Sequence, residues 1–396
     1  MPYTNLSIKN PPHPFTLEGV APGERIAVAM SGGVDSSVAA ALMVEAGYDV
    51  VGITLQLYDH GAMINKKGAC CAGQDIYDAK TVADKMGFAH YVLDYESVFR
   101  TKVIDDFVDS YLQGETPIPC VRCNQNVKFK DLLLTARDLE AKALVTGHYV
   151  QRFKNDRAEL HRAYDHSRDQ SYFLFTTTQD QLDYLRFPLG GLPKSETRKH
   201  ALRFGLTVAE KPDSQDICFV PNGSYASVVS KLRPGALDAG DIIHVDGTVL
   251  GRHDGIINYT IGQRKGLGVS APEPLYVIRL NPEKHQVWVG PREALAVNVI
   301  YLKEMNWLRG LEHFRTGLKC MVKVRSTHAP VEATVTVTGP TNAMVTFENA
   351  EYGVASGQAC VFYENDQVLG GGWITSQHLQ QPDLNQQDLQ QQEKRS

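Results

Sequence analysis

Two groups of residues in this chain carry more chemistry than packing requires. The first is Ser31-Gly32-Gly33-Val34-Asp35-Ser36-Ser37. Adjacent glycines let the backbone approach a ligand closely, and the hydroxyls add donors. Ahead of it, Ile26 to Ala29 reads as a short buried strand; after it, Val38 to Ala46 reads as a small-residue helix stopped at Gly47. Loop amides would then converge at a helix N-terminus, where the dipole favours an anion such as a phosphate. No lysine stands where G-x-x-x-x-G-K-[ST] needs one, so this is not the phosphate loop of ordinary nucleoside triphosphatases.

The second group is made of cysteines. Cys120 and Cys123 lie in Thr116-Pro117-Ile118-Pro119-Cys120-Val121-Arg122-Cys123-Asn124, a proline-stiffened loop expected to run into a helix over 124–139. Cys123 would sit near that helix N-terminus, where the dipole and neighbouring Arg122 favour thiolate. Cys218 lies in Lys211-Pro212-Asp213-Ser214-Gln215-Asp216-Ile217-Cys218-Phe219-Val220, whose charges read as a reactive loop rather than a core segment. Cys70 and Cys71 fall in a Gly/Ala loop, and Cys320 and Cys360 in β segments where burial is expected. Spacing leaves three readings of Cys120, Cys123 and Cys218 open. One is ordinary packing. A second is a metal or iron–sulfur site, since C-x-x-C plus a distant cysteine offers three thiolates. The third is a redox pair in which one cysteine carries a persulfide and another closes a disulfide to release it. A zinc ribbon would want a second C-x-x-C, which the chain lacks.

Alternating elements must position these residues. Beyond the first strand and helix, strands are predicted over 49–55, 90–93 and 143–146, with helices over 75–86, 98–112 and 124–139. Strands alternating with helices argue for a parallel sheet covered on both faces, with ligands beyond the carboxyl ends of the strands. That puts the Ser31–Ser37 loop, Leu55 and Gly147 on one rim. Near Pro221 the texture changes: a helix over 225–232, then short strands over 241–245, 247–250 and 275–280. Segments 319–324, 331–337, 343–347 and 359–363 follow at hairpin spacing and suggest a small antiparallel barrel. The expected division is an irregular extension over 1–23, broken by Pro11, Pro12, Pro14 and Pro22, an α/β domain over 24–221, and a central β-rich domain over 222–290. A barrel over 291–376 and a disordered Gln-rich tail over 377–396 complete it.

Length and composition agree with such a plan. A chain of 396 residues, 43% hydrophobic and 21% charged, predicts two or three domains with an ample core. A net charge of −5 means that nucleic-acid binding would need basic residues clustered on one face. No apolar run of membrane-spanning length occurs, and the first 23 residues lack an apolar h-region and arginine, so a cytoplasmic protein is expected. Seven cysteines are too few for a disulfide scaffold.

The SGG-x-DS loop is similar to that of the ATP pyrophosphatases, which cleave ATP between the α- and β-phosphates and adenylate a substrate. With TPIPCVRCNQNVKF, ALVTGHY, RDQSYFL, KPDSQDICFV and HDGIINYTIGQRKGLG following in that order, the chain resembles the bacterial tRNA-specific 2-thiouridylases of the MnmA type over about residues 24–375. The closing ASGQACVFY and Gly370-Gly371-Gly372 are also similar to that family's barrel. The resemblance implies a parallel-sheet ATP pyrophosphatase (PP-loop, adenine nucleotide alpha hydrolase-like) domain, a small central β-rich tRNA-binding domain and a C-terminal antiparallel β-barrel.

It also implies a reaction. ATP adenylates the 2-carbonyl oxygen of the wobble uridine in the tRNAs for Lys, Glu and Gln. A persulfide on Cys218, loaded by a cysteine desulfurase or a sulfur relay protein, then delivers sulfur, with Cys123 as nucleophile or resolving thiol. Ala29, Met30, Ser31, Gly32, Gly33, Val34, Asp35, Ser36, Leu55 and Gly147 would line the ATP site. Mg²⁺ would accompany the ATP, with Asp35 either placing the metal or capping the helix. Ile118, Pro119 and Cys120, with Arg168, Asp169 and Gln170, would touch the target nucleotide, and Arg325 and Ser326 would hold RNA. Helix 195–204, with Arg198, Lys199, His200 and Arg203, offers phosphate contacts or a solvated face. Many relatives carry Asp where this chain has Cys120; the substitution completes C-x-x-C and keeps an iron–sulfur cluster on Cys120, Cys123 and Cys218 as an alternative to the persulfide. Rival functions are another adenylating enzyme of the same fold, which needs no cysteine pair, or a non-catalytic RNA-binding module.

Overall fold

The computed structural model describes residues 13–57, 71–213, 217–220, 225–233 and 238–376. The expected disordered tail, Cys70 and most of the proline-rich extension lie outside them. Strands β1 (Arg25–Ala29), β2 (Asp49–Gln56), β3 (Ala89–Asp94) and β4 (Leu144–Val145) come first in the chain. A hairpin of β5 (Val150–Lys154) and β6 (Ala158–Arg162) follows, then β7 (Leu185–Arg186). β1 to β4 and β7 form one parallel sheet in the order β3-β2-β1-β4-β7. Central β1 is apolar along its middle because neighbours and helices cover it on every side.

Helix α1 (Val34–Glu45) leaves the carboxyl end of β1, and its run Ala39-Ala40-Ala41 is fully buried, so small side chains let it lie close on the sheet. α2 spans Cys71–Met86, so Cys71 opens a helix rather than lying in a loop. α3 runs through Glu96–Phe99, Arg100–Ile104 and Asp105–Leu112, and α4 through Pro119–Cys123, Asn124–Leu132 and Leu133–Asp138, each with a π-helical middle. α5 (Gln179–Tyr184) starts with a capping box on Thr178, α6 spans Lys194–Arg203, and α7 spans Tyr225–Leu232. Among the described residues no helix is long and apolar enough to cross a membrane.

The central domain is a four-stranded sheet of β8 (Gly240–His244), β9 (Val249–His253), β10 (Tyr276–Asn281) and β11 (Gln286–Gly290), in the order β10-β11-β8-β9. The last six strands are β12 (Ala296–Asn306), β13 (Leu318–Lys323), β14 (Val331–Gly339), β15 (Asn342–Tyr352), β16 (Ala359–Glu364) and β17 (Gln367–Ile374). They close into an antiparallel barrel through β12 against β17. The predicted strands of this region are present, but β12 and β17, which shut the barrel, were not anticipated. β17 carries Gly370-Gly371-Gly372, a composition that weakens a strand assignment. Those glycines answer close approach: a Cβ on Gly371 would stand 2.8 Å from the Cys360 carbonyl oxygen and 2.8 Å from the Phe175 ring.

The β5–β6 hairpin, encoded within the α/β part, extends the barrel sheet beside β17. The two halves also share one apolar core, in which Ala27 and Ile53 of the parallel sheet join the cluster of Tyr172, Phe175, Val361 and Trp373. Residues 13–24 form no helix or strand, and Leu17 and Val20 are buried beside α1.

Candidate functional site

The loop between β1 and α1 is held open by its own hydroxyls. The Ser31 amide donates to Ser36 Oγ at 3.1 Å, and the Ser36 and Ser37 hydroxyls donate to the Gly33 carbonyl at 3.3 and 2.8 Å. Gly32 has φ +70°, and a Cβ there would lie 2.2 Å from the Asp75 carbonyl oxygen of α2. Both the turn and the roof over it therefore require glycine. Gly147 lies against the first turn of α1, where a Cβ would stand 2.8 Å from the Ser36 amide nitrogen. Thr54 Oγ1 donates to the Met30 carbonyl at 2.9 Å and ties the end of β2, where Leu55 lies, to the end of β1. Ala29 to Ser36, Leu55 and Gly147 thus share one rim, and amides face it from the helix N-terminus.

Asp35 neither caps α1, whose N-cap is Gly33, nor presents a free carboxylate. Lys194 Nζ donates to its two oxygens at 2.7 and 2.8 Å, and the Tyr149 hydroxyl donates to Oδ1 at 2.9 Å. Of the two expectations for Asp35, the helix cap is corrected, since Gly33 holds that place, while its carboxylate is engaged by Lys194 and Tyr149. A second lysine, Lys211, donates to the Gly32 carbonyl at 3.0 Å and pairs with Asp75 at 2.7 Å and Asp78 at 2.6 Å. Burial alone would lower the Lys211 pKa, but the two carboxylates outweigh it and raise it. The loop that lacks a lysine of its own therefore receives two from distant segments. Sequence reasoning missed both Lys194 and Lys211. The signal for Lys211 is its place in KPDSQDICFV, beside the charged loop that carries Cys218.

The helix expected to offer phosphate contacts is mostly committed elsewhere. Arg198 braces the chain ahead of Cys218, donating to the Ala209 carbonyl at 2.9 Å and to Asp213 at 2.9 Å. Arg203 forks onto Glu45, and His200 stacks near Phe204. Lys199 stays on an open face, paired with Glu196.

The cysteines differ from one another. Cys123 ends the Pro119–Cys123 turn and continues into the π-helical stretch, so it is inside α4, not at its N-terminus. It is 7% exposed and packs in the cluster of Phe99, Phe107 and Phe219. Burial raises its thiol pKa, opposed by the charge of Lys128. Arg122 gives no help, since it turns to Glu304 at 2.8 Å and lies 4.3 Å over the Trp373 ring. The expected dipole-assisted thiolate at Cys123 is thus corrected: burial governs this thiol. Cys120, in the first turn of α4, is exposed.

Cys218 is also exposed, between Ile217 and buried Phe219, and both flanking residues pack in the apolar cluster that holds Cys123. The described cysteines form no disulfide. Cys360 is buried, whereas Cys320 is only partly so, with its thiol pushed up to about 12 by burial. Among the described residues no three His, Cys, Asp or Glu side chains are grouped to hold a metal ion. With Cys120 facing out and Cys123 turned into an apolar cluster, the donor set does not fit an iron–sulfur cluster.

Ile118 and Pro119 are buried beside these thiols. In the Arg168-Asp169-Gln170 turn the three side chains divide the work. The Asp169 side chain is 1% exposed; its carboxylate accepts from the Arg162 guanidinium at 3.1 Å and from the Ser171 hydroxyl at 2.9 Å, which shapes the turn. Gln170 accepts from the Tyr149 amide at 2.8 Å, while Arg168 stays half exposed and pairs with Asp213 at 3.0 Å. Arg325 and Ser326 follow β13 at the barrel surface, Arg325 donating to the Tyr352 carbonyl at 3.0 Å. Beside Gly147, His148 is partly buried and held neutral, its pKa lowered to about 3 by desolvation and then by Lys128.

A parallel sheet with a lysine-free phosphate loop at its carboxyl rim, followed by two β domains, defines an ATP pyrophosphatase-type enzyme. Comparison with known proteins narrows this. The tRNA methyl transferase HUP domain model matches residues 24–222, the tRNA methyl transferase PRC-barrel domain model residues 229–291, and the aminomethyltransferase beta-barrel domain model residues 297–374. A tRNA-specific 2-thiouridylase MnmA of Rhodospirillum centenum is 62% identical over 359 residues, covering 88% of this chain and 91% of its own. The Maricaulis maris protein of that name is 62% identical over 367 residues, covering 92% and 90%. That of Ruegeria pomeroyi is 59% identical over 380 residues, covering 94% and 99%. The chain belongs to the tRNA-specific 2-thiouridylase family.

Proposed function

We propose that this chain thiolates the 2-position of the wobble uridine of the tRNAs for Lys, Glu and Gln, spending one ATP per sulfur, in the cytoplasm. The observation that carries the reading is the placement of Cys218. The chain ahead of it is fastened to the nucleotide loop by Lys211, and the residues on either side of it pack against the cluster of Cys123. A nucleotide loop without a nearby sulfur site would serve the adenylating rivals equally well; this arrangement serves sulfur transfer. The cysteines suit 2-thiouridylase chemistry.

In the first step the uridine 2-oxygen attacks the α-phosphorus of ATP, the bond to the bridging oxygen breaks and pyrophosphate leaves. Loop amides, Lys194 and Lys211 face the phosphates and stabilise the charge that develops there. Mg²⁺ enters with ATP as part of the substrate. Arg168, the exposed member of its turn, orients the anticodon, and Arg325 and Ser326 hold RNA. In the second step the outer sulfur of a Cys218 persulfide, supplied by a cysteine desulfurase or sulfur relay protein, attacks C2. The Cys123 thiolate then attacks Cys218 Sγ, breaking its bond to the transferred sulfur. That electron pair forms C=S and AMP leaves with the oxygen. The Cys123–Cys218 disulfide is reset by a thiol reductant. Cys120 stands beside the target and is not required as a metal ligand.

The test supplies tRNA bearing a wobble uridine, ATP and a sulfur donor, and follows pyrophosphate, AMP and 2-thiouridine. Pyrophosphate release that needs tRNA, with 2-thiouridine lost in Cys218→Ser, is expected. Full thiolation by Cys218→Ser, or adenylation that ignores tRNA, would overturn the reading.

A further inference from the structure

One carboxylate, that of Asp213, receives three cations from three parts of the chain. Its Oδ1 takes Lys194 Nζ at 2.8 Å and Arg198 at 2.9 Å, and its Oδ2 takes Arg168 at 3.0 Å. Burial would raise the Asp213 pKa, but the cations outweigh it and hold the carboxyl below its usual range, so it stays charged. Each cation answers to something else as well. Lys194 spans from Asp213 to both oxygens of Asp35 in the nucleotide loop. Arg168 comes from the turn assigned above to RNA. Arg198 also holds the carbonyls of Ala209 and Lys211, and so fixes the backbone that bears Asp213.

The same strap touches the loop again two residues earlier, where Lys211 donates to the Gly32 carbonyl at 3.0 Å. Downstream, Ile217, Phe219 and Val220 pack with Cys123. Cys218 therefore belongs to a segment whose upstream end is held by charge against the nucleotide loop and whose downstream end is held by apolar packing.

A triphosphate in the loop brings several negative charges to the place where Lys194 and Lys211 already bind. An ammonium with three donors cannot serve Asp35, Asp213 and a phosphate at full strength at once. Where Lys194 also takes up a phosphate, part of its interaction with Asp213 is redistributed. By linkage, whatever alters the hold on Asp213 also alters nucleotide binding.

We propose that Asp213 is a positioning residue that couples occupancy of the nucleotide loop to the reactivity of Cys218. This rests on the reading of Cys218 as the sulfur carrier, and it adds that the loop reports its state to that cysteine through shared cations. It assigns Asp213 no contact with substrate.

The test measures the alkylation rate of Cys218 by iodoacetamide, read by mass spectrometry on the full-length protein. Rates are taken with and without Mg²⁺ and the non-cleavable α,β-methylene analogue of ATP. In the wild type the analogue should change the rate about 5-fold or more, the lower end of coupling between linked sites. Asp213→Asn, which keeps the shape but not the charge, should bring the ratio below about 2-fold while analogue binding stays within about 5-fold of wild type. Asp213→Glu should restore part of the ratio. Arg198→Gln, which removes a brace and leaves the carboxylate in place, serves as a second variant, and thermal melting shows that each variant folds. An unchanged ratio in folded Asp213→Asn, or a wild-type rate indifferent to the analogue, overturns the coupling. The labelling requires no tRNA chemistry. Loss of coupling in a protein that thiolates tRNA sinks this proposal alone, whereas coupling in a protein that cannot thiolate tRNA sinks the functional reading.

Discussion

Around the nucleotide loop, the shaping bonds span only a few residues: Ser31 to Ser36, Ser36 to Gly33 and Ser37 to Gly33. Around the two thiols nothing is local. Cys123 sits in a helix, Cys218 arrives from far along the chain, and packing with Phe219 brings their segments together. The difference follows from the two chemistries. A phosphate is a strong acceptor that a preformed cradle of amides can meet at any time. In the reaction proposed for Cys123, a thiol that acts only after sulfur has reached the substrate can stay buried, with its pKa raised, on a separate element.

That contrast can be broken most severely at the thiols. Cys218→Ser and Cys123→Ser should each lower thiolation by at least on the order of 10³-fold, as for loss of a covalent catalytic group. Cys218→Ser should still release pyrophosphate with tRNA present, which a pyrophosphate assay separates from 2-thiouridine formation. Next in size is the loop's borrowed charge. Lys194→Met should lower tRNA-dependent pyrophosphate release by about 10²–10³-fold, the scale of losing one preorganised donor at a developing charge. Normal release from that variant would show that Lys194 serves only to hold Asp35 and Asp213.

A smaller effect sharpens the contrast between the thiols. Because burial raises Cys123 and no helix N-terminus assists it, its alkylation in intact protein should lag that of exposed Cys218 at pH 8. Its rate should still be climbing at pH 9, and equal rates for the two thiols would contradict the burial argument. The smallest effect concerns stability. His148 has a folded pKa of about 3 against an ordinary 6.5, so the unfolded chain binds the extra proton between these values. Its neutral burial therefore costs nothing above pH 6.5, and stability falls as the pH drops toward 3. The loss should reach about 2 kcal/mol at pH 5, at about 1.4 kcal/mol per unit. Denaturant melts of His148→Gln at pH 7 and pH 5 should differ less than those of wild type by about that amount.

Much of this architecture could be read from residue order. The β1–loop–α1 unit announces itself through an apolar strand, two glycines and a small-residue helix, all local signals. The six-strand barrel was legible where β13 to β16 alternate, and hidden at β12 and β17. The glycines of β17 are there for the neighbours they touch, which a linear pattern does not reveal. Asp35 shows the same limit inside the site. Its type and place suit a metal or a cap, and only the fold brings Lys194 from 159 residues away to claim it. The enclosure of the Asp169 carboxylate by Arg162 and Ser171 is likewise set by the folded turn and cannot be read from the linear Arg168-Asp169-Gln170 motif.

The β5–β6 hairpin has a consequence for how the protein is made. It leaves the ribosome with the nucleotide-binding half, yet its outer neighbour is β17, among the last strands to be synthesised. The Arg162 amide donates to the Asp366 carbonyl at 2.8 Å, and the Tyr172 hydroxyl donates to the Ala359 carbonyl at 3.0 Å. The first half of the chain thus finishes its core only when the end of the chain is available. A product truncated before β17 would carry an unpaired sheet edge and an open apolar core, marks by which quality-control proteases recognise incomplete chains.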